Sequence, residues 1–305
     1  MGRLIMDAED GTRGLRVRGL RLRGARMRWA RGRPLRPSSI AIFLAFLVLS
    51  ASFLFPFYYM FVNSFKSTAE YYVSSFKLPS VFDWTNFATM ISQFRIQINL
   101  LNSLFISVST IALITVVGVL AAYVFAKRPF RGSRGIFLAI IFTMFMPNQV
   151  TLIPLYFLYS RIGLVNTPYS VIISFLAAGI PSCIMLLTAY FKGIPNELCE
   201  AAIIDGCGFF ATIRNVIVPM GTPVIAVNAT FVFLRTWNDF LTPLILLTRK
   251  ETQTVMVALS ALVSRYSADP PFQMAGLLIA TLPAVVMYLF FQRYLVEGVN
   301  AGSLK

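Results

Sequence analysis

The fold of this chain is decided by the stretch Ile194-Pro195-Asn196-Glu197-Leu198-Cys199-Glu200-Ala201-Ala202-Ile203-Ile204-Asp205-Gly206, a polar insert between the fourth and fifth long apolar segments. Pro195 suits the first position of a helix, because its missing N–H would be unpaired there in any case. Glu197 and Glu200 place negative charge near the positive end of the helix dipole. Gly206 supplies the left-handed conformation that commonly ends a helix. The insert therefore predicts a short helix between Pro195 and Gly206.

One face of this short helix is suited to contact with a partner. Residues at i, i+3, i+4 and i+7 share a face. The stripe that this spacing predicts consists of Leu198, Ala201, Ala202 and Asp205. A second apolar face is expected after the turn, ended by Pro219; its members are Phe209, Phe210, Ile213 and Val216. We expect a docking helix here, and a structured loop that caps the bundle is the alternative.

Composition places the chain in a membrane. Of its 305 residues, 57% are hydrophobic and 13% charged, and its mean hydropathy is +0.72, far outside the range of soluble domains. A helix needs about 20 apolar residues to cross the hydrocarbon core. Six runs reach this length: 40–62, 100–126, 136–159, 169–191, 224–247 and 274–296. We therefore expect an all-α, polytopic membrane domain over residues 38–305 with six transmembrane helices, and a cytoplasmic insert loop at about 194–223.

The third run contains Pro147, Asn148 and Pro154, which predict a kinked or partly unwound span.

Histidine and cysteine narrow the possible chemistry. The chain contains no histidine, so imidazole bases and histidine-based metal sites are excluded. The three cysteines have neither redox-pair nor zinc-site spacing and are expected to be small apolar fillers. They are Cys183, Cys199 and Cys207.

Basic residues set the expected orientation. Residues 1–37 form an arginine-rich tail, and the second connection contains Lys127, Arg128, Arg131 and Arg134. The positive-inside rule places both segments in the cytoplasm, so both termini and the insert lie inside. The tail is expected to contact anionic membrane lipid rather than nucleic acid. A start of translation at Met27 is a further hypothesis, because the bundle does not need the biased sequence before it.

Polar residues in the fifth run are candidates for a solute path. Ionisable groups at membrane depth are costly and usually face a cavity or each other. Trp237, Asn238 and Asp239 offer a ring to stack on a sugar and groups for its hydroxyls, and Asn148 of the third run is a further candidate. The structural alternative is an i, i+4 ion pair between Arg235 and Asp239, or pairing of these residues with a partner subunit, that holds the bundle together.

Several stretches resemble one family of transporters. Glu200-Ala201-Ala202 with Gly206 and a later Pro219 resembles the EAA loop of ABC importer permeases, in the carbohydrate, MalG-like branch. The similarity extends over nearly the whole chain after about residue 38. It includes Ser64-Phe65-Lys66, Asn166-Thr167, Trp237-Asn238-Asp239-Phe240 and Ala301-Gly302.

The resemblance implies a type I importer in the cytoplasmic (inner) membrane of a bacterium or archaeon. This subunit would pair with a second homologous permease, receive a sugar or oligosaccharide from an extracytoplasmic solute-binding protein, and contact two cytoplasmic ATPases. ATP and magnesium would bind those ATPases, because this chain has no GxxxxGK[ST] loop, and no cofactor is expected on it. The residues implied in coupling to the ATPases are Glu197, Glu200, Ala201, Ala202, Asp205 and Gly206.

Two other classes remain as alternatives. An ion-gradient-driven transporter or channel would use Asp239 as its coupling carboxylate, and would be expected to show internal repeats and further acids within the membrane. A membrane enzyme is disfavoured, because the chain lacks histidine, a metal constellation and a nucleophile motif. Which sugar or related solute is carried, neutral or acidic, stays open from the sequence.

Overall fold

The computed structural model describes residues 37–266 and 268–302, so the arginine-rich tail, the Met27 hypothesis and the terminal Lys305 lie outside the described residues. The described residues form helices and connecting turns and contain no strand. In order, the helices are α1 (Pro37–Ser64), α2 (Thr68–Ser74), α3 (Thr85–Ser92), α4 (Ile96–Lys127), α5 (Ser133–Phe142), α6 (Asn148–Arg161), α7 (Pro168–Lys192), α8 (Asn196–Ile204), α9 (Phe209–Thr212), α10 (Val218–Asn238), α11 (Leu241–Leu246), α12 (Val255–Arg265) and α13 (Pro270–Gly302).

The helices confirm the all-α membrane fold. Five helical segments of the described chain are long and apolar enough to span a bilayer, and a sixth span is reached when α5 and α6 are counted together. The five segments are Ile40–Ser64, Ile96–Lys127, Pro168–Lys192, Phe209–Asn238 and Pro270–Gln292. By contacts, the described residues before Phe53 and those from Phe53 onwards form two units, and the packing described below lies within the second.

The third span is broken, as its prolines predict. Ser133–Phe145 and Asn148–Arg161 meet at an angle of 96°. Met146 has an extended backbone with ψ of 123°, and Pro147 precedes the first residue of α6. Because proline disfavours helical conformation in the residue before it and has no N–H to donate, the helix cannot continue through this point. Pro154, by contrast, is accommodated inside α6.

The fifth span differs from its predicted bounds. It runs from Phe209 to Asn238 instead of 224–247, and Pro219 does not end it. A π-helical turn at Ile213–Ile217 ends two residues before the proline. The wider turn changes the backbone pairing just where Pro219 lacks a donor, and π turns are commonly inserted in α-helices without ending them. The span therefore begins within the predicted loop at 194–223 and ends earlier.

The core of the second unit is built where α4 packs along α7. A Cβ atom at Gly118 of α4 would overlap the Sγ atom of Cys183 of α7, so the glycine permits a close approach of the two helices. Cys183 and Cys199 are buried free thiols, which confirms their predicted filling role. Thr236 of α10 donates a hydrogen bond to Ser107 of α4 at 3.0 Å, linking a third helix to this pair.

Candidate functional site

The short helix α8, expected to be a docking helix, ends as its sequence predicts and begins one residue later than expected. Pro195 precedes the helix with an extended ψ of 137°, and Asn196 is its first residue. At the other end Gly206 has a φ of +84°. The N–H of Gly206 bonds to the carbonyl of Ile203 at 3.0 Å, and that of Cys207 bonds to Ala202 at 2.8 Å. This pair of bonds is a Schellman motif, which satisfies the last carbonyls of the helix.

The free face of α8 differs from the predicted stripe. Ala202 is 8% exposed and packs with Cys199 against the rest of its own chain, so its assignment to the partner-facing stripe is corrected. Its neighbour Ile204 is 85% exposed. The free face therefore combines acidic and apolar groups and consists of Glu197, Leu198, Glu200, Ala201, Ile203, Ile204 and Asp205. Spacing alone did not identify the two isoleucines, because the side on which the short helix packs decides which stripe is free.

A lysine from another helix holds the start of α8. The Nζ atom of Lys127, the last residue of α4, donates to the carbonyl oxygen of Ile194 and, at 2.8 Å, to the Oδ1 atom of Asn196. The sequence analysis used Lys127 only as an orientation signal, since nothing in its spacing indicates a contact 67 residues further along the chain. This tether joins a long membrane helix directly to α8.

The turn after α8 is packed against the same long helix. Cys199, Tyr123 and Ile213 belong to one buried apolar cluster. The ring of Phe209 meets the ring of Tyr123 edge-on with centroids 5.3 Å apart. Phe210 faces outward and is largely exposed. Through these contacts α4, α8 and the start of the fifth span form one packed group.

The three candidate path residues of the fifth span do not line a common solute site; they are Trp237, Asn238 and Asp239. Trp237 is 2% exposed, stacks on Phe233 and donates to the carbonyl of Ala280 at 3.3 Å. Its ring is therefore used in helix packing between α10 and α13, which corrects its assignment as a surface for a sugar. The amide of Asn238 is exposed and donates to Leu234 of its own helix at 2.8 Å.

Asp239 has a local structural role. Its Oδ1 atom accepts a hydrogen bond of 2.9 Å from the backbone N–H of Thr242 near the start of α11. The backbone leaves the helical conformation at Asp239, with ψ of 125°. Within the described residues Asp239 makes no ion pair with Arg235, so the predicted i, i+4 pair is wrong. The carboxylate turns instead toward the next helix, where it satisfies an otherwise unpaired donor.

Arg235 and Asn148 line a cavity in the middle of the membrane domain. The cavity has a volume of about 370 Å³ and lies between the bend of the third span, α7 and α10. The Nη1 atom of Arg235 donates to the carbonyl of Ala178 at 3.2 Å, near the midpoint of the helix Pro168–Lys192. Of the predicted path residues, only Asn148 lies here. The sequence marked Arg235 as half of an ion pair and missed its place in the cavity wall.

A second cavity lies beside the connection between α11 and α12. It has a volume of about 260 Å³, and its wall includes Arg95, Lys250, Glu251, Arg265 and Tyr266. Asn102 positions this connection by donating to the carbonyls of Glu251 and Gln253 at 2.8 and 3.1 Å. Arg95 comes from the start of α4, so three basic groups from distant parts of the sequence meet at one site.

Comparison with known proteins identifies relatives over most of the chain. Residues 114–300 match the model of the family described as binding-protein-dependent transport system inner membrane component. The chain is 31% identical to the diacetylchitobiose uptake system permease protein NgcG of Streptomyces coelicolor, over 87% of this chain and 89% of that protein. It is 29% identical to the arabinooligosaccharides transport system permease protein AraQ of Bacillus subtilis, over 87% and 95% of the two chains.

A solved structure shares the fold. One chain of a bacterial alginate ABC transporter, crystallised with its alginate-bound periplasmic protein, superposes with a TM-score of 0.61. The match covers 83% of this chain and 93% of that one at 16% sequence identity. At this identity the likeness concerns the arrangement of helices.

Proposed function

Because the chain belongs to the family of inner membrane components of binding-protein-dependent transport systems, we propose that it is a permease subunit of an ATP-driven importer for a sugar or oligosaccharide. It would form half of the translocation path beside a second, homologous permease. The carbohydrate assignment is supported by relatives named for diacetylchitobiose and arabinooligosaccharide uptake, which align over 87% of this chain. The protein itself is a multi-pass membrane transport component and not an enzyme.

The free face of α8 is the observation that carries the coupling role. A short helix that exposes acidic and apolar side chains, and is tied at its start to α4 through Lys127, is suited to sit in a groove of a cytoplasmic ATPase. Movement of that ATPase would then reach α4 and the fifth span through contacts that already exist. A conformational change of this kind requires differential contacts in its two states, which ATP-driven closure of the two ATPases would supply.

Nucleotide binding belongs to the partners in this proposal. The sequence has no phosphate-binding loop, so ATP and magnesium would bind the two ATPase subunits. The tail and the second connection would lie in the cytoplasm with both termini. The cavity beside the α11–α12 connection would then face outward, where its three basic groups suit an acidic surface of the solute-binding protein.

Asp239 gives little support to an ion-gradient mechanism. A coupling carboxylate must exchange its ion or proton with the path, whereas this carboxylate accepts the hydrogen bond that caps α11. The importer role therefore accounts for more of the observed contacts.

Co-purification tests the proposal. Expressed with its genomic neighbours, the chain should bring down a P-loop ATPase. Replacing Glu200 and Ile204 together by Ala should weaken this association at least about tenfold, since two exposed contact groups on a small interface are removed. The matched control is Glu251→Ala, on the α11–α12 connection, which should leave the association unchanged. If the unchanged protein, the double variant and Glu251→Ala recover equal amounts of the ATPase, docking through α8 is refuted.

A further inference from the structure

The hydroxyl groups in the wall of the cavity that contains Arg235 have their protons engaged in hydrogen bonds within the protein. Four hydroxyl side chains in its wall donate their protons to carbonyls of their own helices one turn earlier. Thr143 donates to Ile140 at 2.6 Å, and Thr151 donates to Asn148 at 2.7 Å. Ser174 and Ser182 do the same within α7 at 2.7 and 2.9 Å. Because a hydroxyl has one proton and two lone pairs, these groups can offer the cavity mainly acceptor oxygens.

Arg235 is the strong donor of this cavity. Its guanidinium has five N–H groups, and within the described residues its side chain makes one hydrogen bond, to the carbonyl of Ala178. No carboxylate and no aromatic ring is found among the described residues that line the cavity. Asp239, the nearest acid along the chain, is engaged with Thr242. A cation at membrane depth without a charged partner is costly and usually marks a functional pathway.

We propose that this cavity is a solute subsite for an acidic saccharide, in which Arg235 binds a carboxylate of the solute. The hydroxyls of the sugar would donate to the oxygens of Thr143, Thr151 and Ser182, whose own protons are already committed. The carboxylate would accept two parallel hydrogen bonds from the guanidinium, the geometry in which arginine is strongest. The inference rests on the proposed transport function and narrows its substrate class.

A neutral sugar fits this wall less well. Sites for neutral sugars gain from carboxylates that accept from hydroxyls and from rings that cover the apolar face of the sugar. Trp237, the ring that the sequence offered for this purpose, is buried between α10 and α13. A neutral solute would also leave the charge of Arg235 without compensation.

The charge of the cavity can be measured without knowing the natural solute. Met146, which lines the cavity, is replaced by Cys in a Cys207→Ser background of the whole transporter in lipid nanodiscs. Labelling rates are compared for two methanethiosulfonate reagents of similar size, one with a sulfonate and one with a trimethylammonium group. The sulfonate reagent should be favoured, and Arg235→Gln should lower the ratio of the two rates at least about tenfold, as expected for loss of a nearby unit charge in a medium of intermediate dielectric constant.

Two control variants make the readout specific. Arg235→Lys keeps the charge and should keep the ratio, and Lys250→Gln, in the second cavity, should not change it.

In a protection arm, glucuronate should slow the labelling of Met146→Cys at several-fold lower concentration than glucose, and Arg235→Gln should abolish this difference. An unchanged reagent ratio in Arg235→Gln would mean that an acid of the partner permease neutralises the arginine, and would overturn the proposal. Equal protection by the two sugars would overturn it as well.

The outcome is separable from that of the importer assignment. Co-purification with an ATPase depends on the exposed face of α8 and not on Arg235. An assembled complex in which the reagent ratio is insensitive to Arg235→Gln refutes the acidic solute alone. A chain that recruits no ATPase refutes the importer role, and the solute assignment falls with it.

Discussion

The contact between Gly118 and Cys183 limits how large either side chain can be. A Cβ atom at position 118 would overlap the cysteine Sγ atom, but it would lie 3.4 Å from the cysteine Cβ atom. We expect Gly118→Ala to lower the stability of the membrane domain by about 1–3 kcal/mol, the usual cost of overpacking. The double variant Gly118→Ala/Cys183→Ala should recover most of this loss, because the overlapping atom is gone. Thermal unfolding of the four proteins in detergent measures the coupling, and additive effects would contradict it.

Lys66 is a buried lysine whose charge opposes folding. Its side chain is 1% exposed and its Nζ atom donates to Asn63 at 2.9 Å and to the carbonyl of Ser74 at 2.8 Å. Burial lowers the pKa of Lys66 below 10.5, and the charge of Glu70 opposes this shift in part. Because the folded protein loses this proton at lower pH than the unfolded chain, the contribution of Lys66 to stability should rise as pH increases through the folded pKa toward 10.5.

The variant Lys66→Met removes this contribution. The unfolding temperature of the unchanged protein minus that of Lys66→Met should increase toward alkaline pH, whereas the same difference for Lys77→Met, at an exposed lysine, should stay constant. The comparison is a series of thermal melts from neutral to alkaline pH. A difference for Lys66→Met that does not change with pH would contradict the lowered pKa of Lys66.

Residues differ in how far the sequence determines their role. The left-handed backbone of Gly206 was predictable, because a helix that stops in a short loop needs a residue that tolerates positive φ. The burial of Ala202 was not, since the side on which α8 packs depends on Tyr123 of α4, which is distant in the chain and shares an apolar cluster with Cys199. The predicted role of Trp237 was wrong for the same reason, because the carbonyl that accepts its indole N–H belongs to Ala280, 43 residues away.

At the scale of elements, the tether between α4 and α8 should transmit force. Lys127→Met removes two charge-assisted hydrogen bonds, each of about 1.5–3 kcal/mol, while leaving the free face of α8 intact. We expect the ATPase to remain bound and the amount of solute moved per ATP hydrolysed to fall. Transport and ATP hydrolysis measured on the same proteoliposomes give this ratio.

The neighbouring Arg128 provides the matched control. It is exposed, and no hydrogen bond or ion pair joins its side chain to the described residues, so Arg128→Met should preserve the coupling ratio. Lys127→Arg should retain part of it. A coupling ratio in Lys127→Met equal to that of the unchanged protein would show that α8 is driven through its other contacts.

Elements also differ in predictability. The break of the third span follows from a local cause, the missing N–H of Pro147, and was visible in the sequence. The start of the fifth span was not, because Pro219 was expected to end the helix that begins near Phe209, whereas the observed span continues through it. The π turn at Ile213–Ile217 has no comparable sequence signal.

For the whole molecule, the orientation follows from the positive-inside rule and is open to direct measurement. In a Cys207→Ser background, Glu251→Cys should react with a membrane-impermeant maleimide on intact cells. Arg131→Cys, in the basic second connection, should react only after the cells are permeabilised. The reverse pattern would invert the topology and place α8 on the side away from ATP.

The 96° bend of the third span has a consequence for biogenesis. Ser133–Phe145 and Asn148–Arg161 are each shorter than the roughly 20 residues that cross a bilayer, so neither half makes a stable stop for the insertion machinery alone. The unpaired backbone at the bend is poorly tolerated against lipid, and α7 contacts both α5 and the turn at Thr143–Phe145. We therefore expect the third span to settle only once α7 has emerged from the ribosome, so that the two are delivered to the membrane as a pair.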